Sequence, residues 1–323
     1  MQNKQKALFT DGKGNIQLKE LEKPKPGREE LLVKVKAAAI CTATDTHIIE
    51  GRHPGVLPFP TPLGHEAAGE AIEIGQNVKD FVSGDRIASV GWGGKSGGAF
   101  STYLIVNPDE IVKIPDSISY EEASLLEISH CVYGIVDQCV RLGDTVLILG
   151  QGSAGLIATD LARAAGASKI FVSENSEIRK KLALERGADS VIDPHEDVVK
   201  RVKELTFGEG VDVVIECAGV PETIKITAEA LKKGGIIGQF GACEELVPYN
   251  FFRLHTRHAK IVTVGSGHGY GKYSLERALR LRISGKINLQ SLITHRFSLE
   301  EIDKGFEVLK NPAEEALKVI IRA

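Results

Sequence analysis

Three short stretches of this chain hold residue types that bind divalent metals. Cys41 lies in Ile40-Cys41-Thr42-Ala43-Thr44-Asp45-Thr46-His47. His65 and Glu66 lie in Gly64-His65-Glu66-Ala67-Ala68-Gly69-Glu70, and Glu127 in Leu125-Leu126-Glu127-Ile128-Ser129-His130-Cys131. A thiolate, an imidazole and a carboxylate form a zinc set that leaves a fourth position for water or substrate. Spacing alone admits blander readings: Cys41 as a small buried hydrophobe, His65 as a core histidine, Glu127 as the partner of an arginine. A fourth stretch, Gly150-Gln151-Gly152-Ser153-Ala154-Gly155, is G-x-G-x-x-G. It follows the apolar run Val146–Leu149 and opens a helical pattern at Ile157, Leu161 and Ala165, the context that makes the motif informative. The first glycine permits a tight turn, the second lets a pyrophosphate approach, and the third lets helix and strand pack. The backbone amides of the helix N-terminus, at Ser153 and Ala154, face the phosphates. Glu174 lies 19 positions after Gly155. A carboxylate there accepts ribose hydroxyls and repels a 2′-phosphate, which favours NAD over NADP. Arg179 is close enough in sequence to touch the ribose or phosphate.

These residues need two kinds of scaffold. Residues 1–118 read as mostly β, with short β-rich runs such as Leu31–Ala38 and Ile87–Val90 between turn signals that include Gly91-Trp92-Gly93-Gly94. Pro54, Pro58, Pro60 and Pro62 make residues 52–64 extended. From about residue 119 strands and helices alternate: Val146–Leu149, Ile170–Val172, a helix over Glu177–Arg186 closed by Gly187, then strands at Val191-Ile192, Val213–Ile215, Ile236–Phe240 and Ile261–Val264. That alternation predicts a parallel α/β sheet. Two amphipathic stretches, near Leu275–Ile283 and Leu299–Leu309, precede a final apolar strand, Leu317–Ile321. His255 and His258 are spaced to share a helix face. His268, among glycines, reads as a loop near the cofactor, and Asp193-Pro194-His195 as a turn.

Composition narrows the class. The chain has 323 residues, which suggests two domains, and a net charge of −3 with no basic cluster, which argues against nucleic acid. No apolar run approaches the roughly 18 residues of a membrane span, and no apolar segment follows the charged N-terminus, so no secretory signal is expected. The five cysteines are odd in number and scattered, with no Cys-x-x-Cys. They fit a reducing cytoplasm and exclude a closely paired Cys₄ zinc site.

Gly64-His65-Glu66-x-x-Gly69-x-x-x-x-x-Gly75-x-x-Val78, the run Phe81–Ile87, Gly98–Tyr103, the glycine loop and Leu292–Phe297 together resemble the medium-chain dehydrogenase/reductase superfamily, in its zinc-containing alcohol and polyol dehydrogenase branch. The resemblance implies an α/β fold: a GroES-like, mostly β catalytic domain (1–125), a Rossmann doubly wound parallel sheet that binds NAD (126–263), and a return to the catalytic domain (264–323). It implies one catalytic zinc per chain on Cys41, His65 and Glu127, with Glu66 as a transient or fourth ligand and Cys131 as the competitor of Glu127 for the third place. The cysteine-rich lobe of a structural zinc is missing. Hydride would pass from a secondary alcohol (a polyol, sugar or cyclitol) to NAD, giving the ketone. The proton would leave through Thr44 and the nicotinamide ribose to His47. The family's usual Cys-x-[Ser/Thr]-Asp is one residue longer here, so Thr42 competes with Thr44. Small-molecule alcohol and ketone are the expected partners, and a homodimer or homotetramer the expected assembly. The competing readings are a zinc-free, NADPH-dependent quinone or enoyl reductase of the same superfamily, and a non-enzymatic dinucleotide-binding protein.

Overall fold

Apolar runs bounded by turn residues form the strands, and the number of faces each run buries decides which sheet it joins. The computed structural model describes residues 3–53, 55, 58–91, 96–263 and 271–323. Pro54, Trp92 to Gly94 of the expected turn, Val264 and His268 lie outside the described residues. Two compact units result: Met1–Ile128 with Tyr270–Ile283 and Leu289–Ala323, and Ser129–Gly269 with Ser284–Asn288.

The chain begins with strands β1 (Lys4–Thr10), β2 (Ile16–Glu22) and β3 (Leu31–Ala39), helix α1 (Thr42–Ile49), and strands β4 (Thr61–Pro62), β5 (Glu66–Ile74), β6 (Arg86–Ser89), β7 (Tyr103–Val106) and β8 (Ile111–Lys113). Helices α2 (Tyr120–Ser124) and α3 (Leu126–Cys139) follow. Strands and helices then alternate: β9 (Thr145–Leu149), α4 (Ser153–Ala164), β10 (Lys169–Ser173), α5 (Glu177–Glu185), β11 (Ser190–Ile192), α6 (Val198–Leu205), β12 (Val211–Glu216), α7 (Pro221–Ala230), β13 (Leu231–Gln239), α8 (Phe251–Arg257) and β14 (Lys260–Thr263). Helix α9 (Gly271–Ile283), strand β15 (Ile293–Ser298), helix α10 (Ile302–Lys310) and strand β16 (Lys318–Arg322) close the chain.

Among the described residues, the first unit's main sheet runs β15-β16-β3-β5-β6-β8, with β7 also paired to β3, beside a smaller sheet β2-β1-β4. Its core includes Leu8, Leu31, Val33, Ile87, Phe100, Leu104 and Phe306. The Phe100 and Phe306 rings meet edge to face, centroids 6.3 Å apart. Strand β3 organises this sheet. Its C-terminal end pairs Ala38 and Ala39 with Ala67 and Glu66 of β5 on one side, and with Ile321 and Ile320 of β16 on the other. Cys41 (just past β3), His65 and Glu66 (at the start of β5) and Lys318 (at the start of β16) are thereby drawn to one end of three adjacent strands.

In the second unit the described strands form a parallel sheet in the order β11-β10-β9-β12-β13-β14. Strand β9 is central because Val146, Leu147, Ile148 and Leu149 are all buried, as a strand covered on both faces requires. The strand order reverses at β9, with β10 and β11 to one side and β12 onward to the other, which is the dinucleotide-binding topology.

The structure departs from the sequence expectations in two places. The return segment is not uniform, because residues 284–288 belong to the second unit. There the Asn288 N–H donates to Asp160 Oδ2 (3.0 Å) and Arg186 Nη2 donates to the Asn288 carbonyl (2.6 Å), so polar bonds to buried Asp160 and Arg186 capture the segment. His255 and His258 do not share a helix face either: α8 stops at Arg257, and His258 is its left-handed cap at φ 52°. Among the described residues no helix is long and apolar enough to cross a membrane.

Candidate metal and cofactor sites

Helix α1 begins directly after Cys41, whose extended backbone serves as its N-cap. Four residues on, Asp45 is fully buried; its Oδ2 accepts the Cys41 N–H at 2.9 Å, and its own N–H donates to the Cys41 carbonyl. The extra residue after Cys41 is thus absorbed into a helical turn. Thr44 is half-buried three residues past Cys41, Thr42 is exposed, and His47 is half-buried in the last turn.

His65 follows Gly64, whose φ of +88° and closeness to the Phe100 backbone leave no room for a side chain. His65 is buried with Nδ1 3.7 Å from Asp45 Oδ1. Ligand atoms of Cys41, His65 and Glu66 all lie within 4.8 Å of one another. Burial alone would lower the His65 pKa. The Cys41 side chain bonded to it, then the charges of Glu127, Cys41 and Asp45, outweigh burial and raise it to about 10. Burial pushes the Asp45 carboxyl up to about 6, against the pull of His65 and the Cys41 N–H. A thiol, an imidazole and several carboxylates in one desolvated place make a site that favours positive charge. This donor set fits a zinc ion.

The two carboxylates differ in their partners. Glu66 is 0% exposed, and both its oxygens accept from Lys318 Nζ, at 2.5 and 2.8 Å. Lys318 is 2% exposed and also donates to the Ile40 carbonyl at 3.3 Å. Burial lowers the Lys318 pKa, but the charges of Glu66 and Cys41 overcome this and raise it. Glu127, in the first turn of α3, lies outside the Cys41–His65–Glu66 group, though its charge reaches His65 and Lys318. Within α3, Glu127, His130 and Cys131 at i, i+3 and i+4 bring their own ligand atoms within 4.8 Å.

In the second unit the three glycines of the motif have different surroundings. Gly150 turns at φ +85°, where a Cβ would lie 3.1 Å from Ala218 Cα. Gly152, the N-cap of α4, faces open space, as a backbone approached by a pyrophosphate must. A Cβ on Gly155 would fall on the Gly150 carbonyl oxygen, so the helix seats against the turn only with glycine there. Ser153 and Ala154 occupy the first turn of α4. Together these features fit a dinucleotide phosphate at the helix N-terminus.

Glu174, just past β10, is buried. Its Oε2 accepts the Gln151 N–H (2.8 Å), and its Oε1 accepts the Asn175 and Ser176 N–H groups (2.9 and 3.0 Å). The carboxylate therefore ties the glycine loop to the end of β10, a role that spacing did not suggest. Ser176 caps α5 by accepting the Arg179 N–H, and Arg179 is half-buried. Sequence reasoning also missed Lys318 and Glu216. Lys318 lies within the apolar run Leu317–Ile321 and Glu216 directly after Val213–Ile215, and a charged residue so placed needs a buried partner.

Residues 27–116 match the family described as "Alcohol dehydrogenase GroES-like domain", and residues 154–282 match "Zinc-binding dehydrogenase". A sorbitol dehydrogenase of Halalkalibacterium halodurans is 31% identical over 338 aligned positions, covering 96% of each chain. An L-threonine 3-dehydrogenase of Pyrococcus horikoshii is 33% identical over 91% of this chain and 92% of its own. Among solved structures, a zinc-binding dehydrogenase of Sinorhizobium meliloti bound to NADP is 31% identical, covers 100% of both chains and superposes with a TM-score of 0.89. The 2R,3R-butanediol dehydrogenase of Bacillus subtilis is 26% identical, with 99% coverage of both chains and a TM-score of 0.87. The chain belongs to the zinc-containing alcohol dehydrogenase family of the medium-chain dehydrogenases/reductases.

Proposed function

We propose that this dehydrogenase oxidises a secondary alcohol of a polyol, sugar or cyclitol to the ketone with NAD, using one zinc per chain. The cluster of Cys41, His65 and buried carboxylates carries this reading: its negative charge raises His65 to about 10, and a divalent cation answers that charge. Cys41, His65 and Glu127 are assigned as ligands, since Glu66 already has both oxygens on Lys318. Bound there, zinc would supply Lewis acidity to the substrate hydroxyl. Asp45 holds the Cys41 backbone and faces His65, fixing how the two ligands are presented. Thr44, half-buried on the Cys41 side of α1, is assigned the hydroxyl that takes the substrate proton, and His47 its exit toward solvent. Binding of the nicotinamide cofactor falls to the second unit.

Glu174 beside the glycine loop supports NAD over NADP, because a 2′-phosphate would meet a buried carboxylate. The sorbitol and butanediol dehydrogenases among the relatives support a polyol-type substrate. The exposed edge strand β14, with Ile261 on its surface, supports assembly as a homodimer or homotetramer. A cytoplasmic location accords with five free cysteines.

The test is metal analysis of the purified chain together with a screen of sorbitol, butane-2,3-diol, cyclitols and L-threonine, each with NAD and NADP. About one zinc per chain and NAD-linked oxidation of a polyol are expected. A chain that purifies without zinc and reduces quinones or enones with NADPH would overturn the reading. Glu174→Ala should lower the preference for NAD, and an unchanged NAD/NADP ratio removes Glu174 from that role.

A further inference from the structure

Glu216 is the last residue of β12 and 0% exposed, and the chemistry described above leaves it unused. Its carboxylate is fully committed. Oε1 accepts the N–H groups of Ala218 and Gly219, each at 2.9 Å, and the Thr223 hydroxyl at 2.7 Å. Oε2 accepts Gln239 Nε2 at 2.6 Å, and the same Gln239 nitrogen donates to the Gly241 carbonyl at 2.8 Å. The Glu216 backbone carbonyl accepts both Phe240 and Gly241 N–H groups at 2.9 Å. One residue thus joins the loop after β12, the start of α7 and the loop after β13. The two loops touch so closely that a Cβ on Gly241 would fall on Gly219 N and Glu216 Oε2.

These loops lie at the carboxyl ends of the strands on the far side of the reversal at β9. The β12 loop is packed against Gly150 through Ala218, and the Cys217 N–H donates to the Leu149 carbonyl. In a doubly wound sheet the dinucleotide spans that reversal, one nucleotide to each half. The half with β10 carries Glu174 and serves the adenosine side, so the loops joined by Glu216 flank the nicotinamide side. We infer that Glu216 is a positioning residue for the nicotinamide half of the cofactor, bracing the loops after β12 and β13 through Thr223 and Gln239. Burial of a fully bonded carboxylate makes these loops rigid before the cofactor arrives, which lowers the ordering cost of binding.

This inference rests on the dinucleotide reading of the second unit, and the experiment separates the two. Binding of NADH and NADPH is followed by cofactor fluorescence, and binding of ADP, which reports the adenosine side alone, by calorimetry. Gln239→Leu cuts the bridge to the β13 loop at a half-buried position, and Glu216→Gln alters its centre. For each variant, the Kd of the preferred dinucleotide is expected to rise about tenfold or more, as loss of a hydrogen bond to a charged group predicts. The Kd of ADP should stay within about twofold. Should Glu216→Gln fail to fold, Gln239→Leu decides alone. Equal weakening of ADP and dinucleotide, or no weakening of either, overturns the brace. Failure of the unmodified chain to bind NADH or NADPH overturns the dinucleotide reading, and the brace with it.

Discussion

Replacing Lys318 with methionine tests whether the Cys41–His65–Glu66 group is built on a buried ion pair. Lys318 Nζ is shared between both Glu66 oxygens at 2.5 and 2.8 Å, and the two residues are 2% and 0% exposed. Solvent cannot take over from the lost ammonium, so Lys318→Met strands a carboxylate among Cys41, Asp45 and Glu127. Breaking a buried pair from one side costs about 3–5 kcal/mol. Glu66→Gln should cost less, because Lys318 keeps the Ile40 carbonyl and a neutral amide oxygen. The double variant removes both charges and should recover most of the loss, ending within about 2 kcal/mol of the parent. The coupling energy from the cycle is then about 2 kcal/mol or more. Urea unfolding of all four proteins in excess chelator measures it, since chelation removes the contribution of bound metal to stability. A Lys318→Met chain within about 1 kcal/mol of the parent, or a double variant whose loss is the sum of the two single losses, would refute the argument.

Three further outcomes follow from the same kind of reasoning. Gly155→Ala places a Cβ on the Gly150 carbonyl oxygen and should cost about 3 kcal/mol while abolishing tight NADH binding, read by thermal unfolding and fluorescence titration; parent-like values would contradict it. Phe306→Ala removes a buried ring and its edge-to-face contact with Phe100, and should cost about 3–5 kcal/mol in urea unfolding, with a loss under about 1 kcal/mol as the contrary result. Burial holds the Asp160 carboxyl up at about 6 despite Arg186, so the folded protein keeps that proton longer than the unfolded chain does. Its contribution to stability is present at pH below the ordinary carboxylate range and is lost as pH rises through about 6, a fall that Asp160→Asn should not show. Parallel pH profiles for the two proteins would count against it.

Local signals made much of this molecule readable in advance. The glycine motif, its preceding apolar run and the following helical period depend on neighbours within about fifteen residues, and Gly150 and Gly155 make the turn and the close approach that their places in the motif suggest. Cys41, His65 and Glu66 were also identifiable, because reactive residue types stand out against alanine-rich surroundings. What escaped notice depends on distant partners. Lys318 sits in what reads as an apolar terminal strand, and its partner Glu66 lies 252 residues earlier. Glu174 could be placed by spacing, but not the direction its carboxylate takes, since the Gln151 N–H competes with any ribose hydroxyl for it. The capture of residues 284–288 by the second unit depends on bonds to Asp160 and Arg186 that no periodicity reveals.

The position of β16 has a consequence for how the chain is made. Synthesis runs from the N-terminus, and domains fold largely as they emerge. The described strands of the parallel sheet are contiguous from β9 to β14, so that sheet can assemble before the last segments are translated. The first unit must wait, because β16 fills the place between β15 and β3 in its main sheet. Until β16 leaves the ribosome, the Ala38–Ala39 end of β3 lacks its partner on one side, and Glu66 lacks its counter-charge. On that order of synthesis the glycine loop would form while Cys41, His65 and Glu66 still lack the last strand and its Lys318. Metal capture before that final strand docks would meet a looser and more acidic set of donors than the finished enzyme offers.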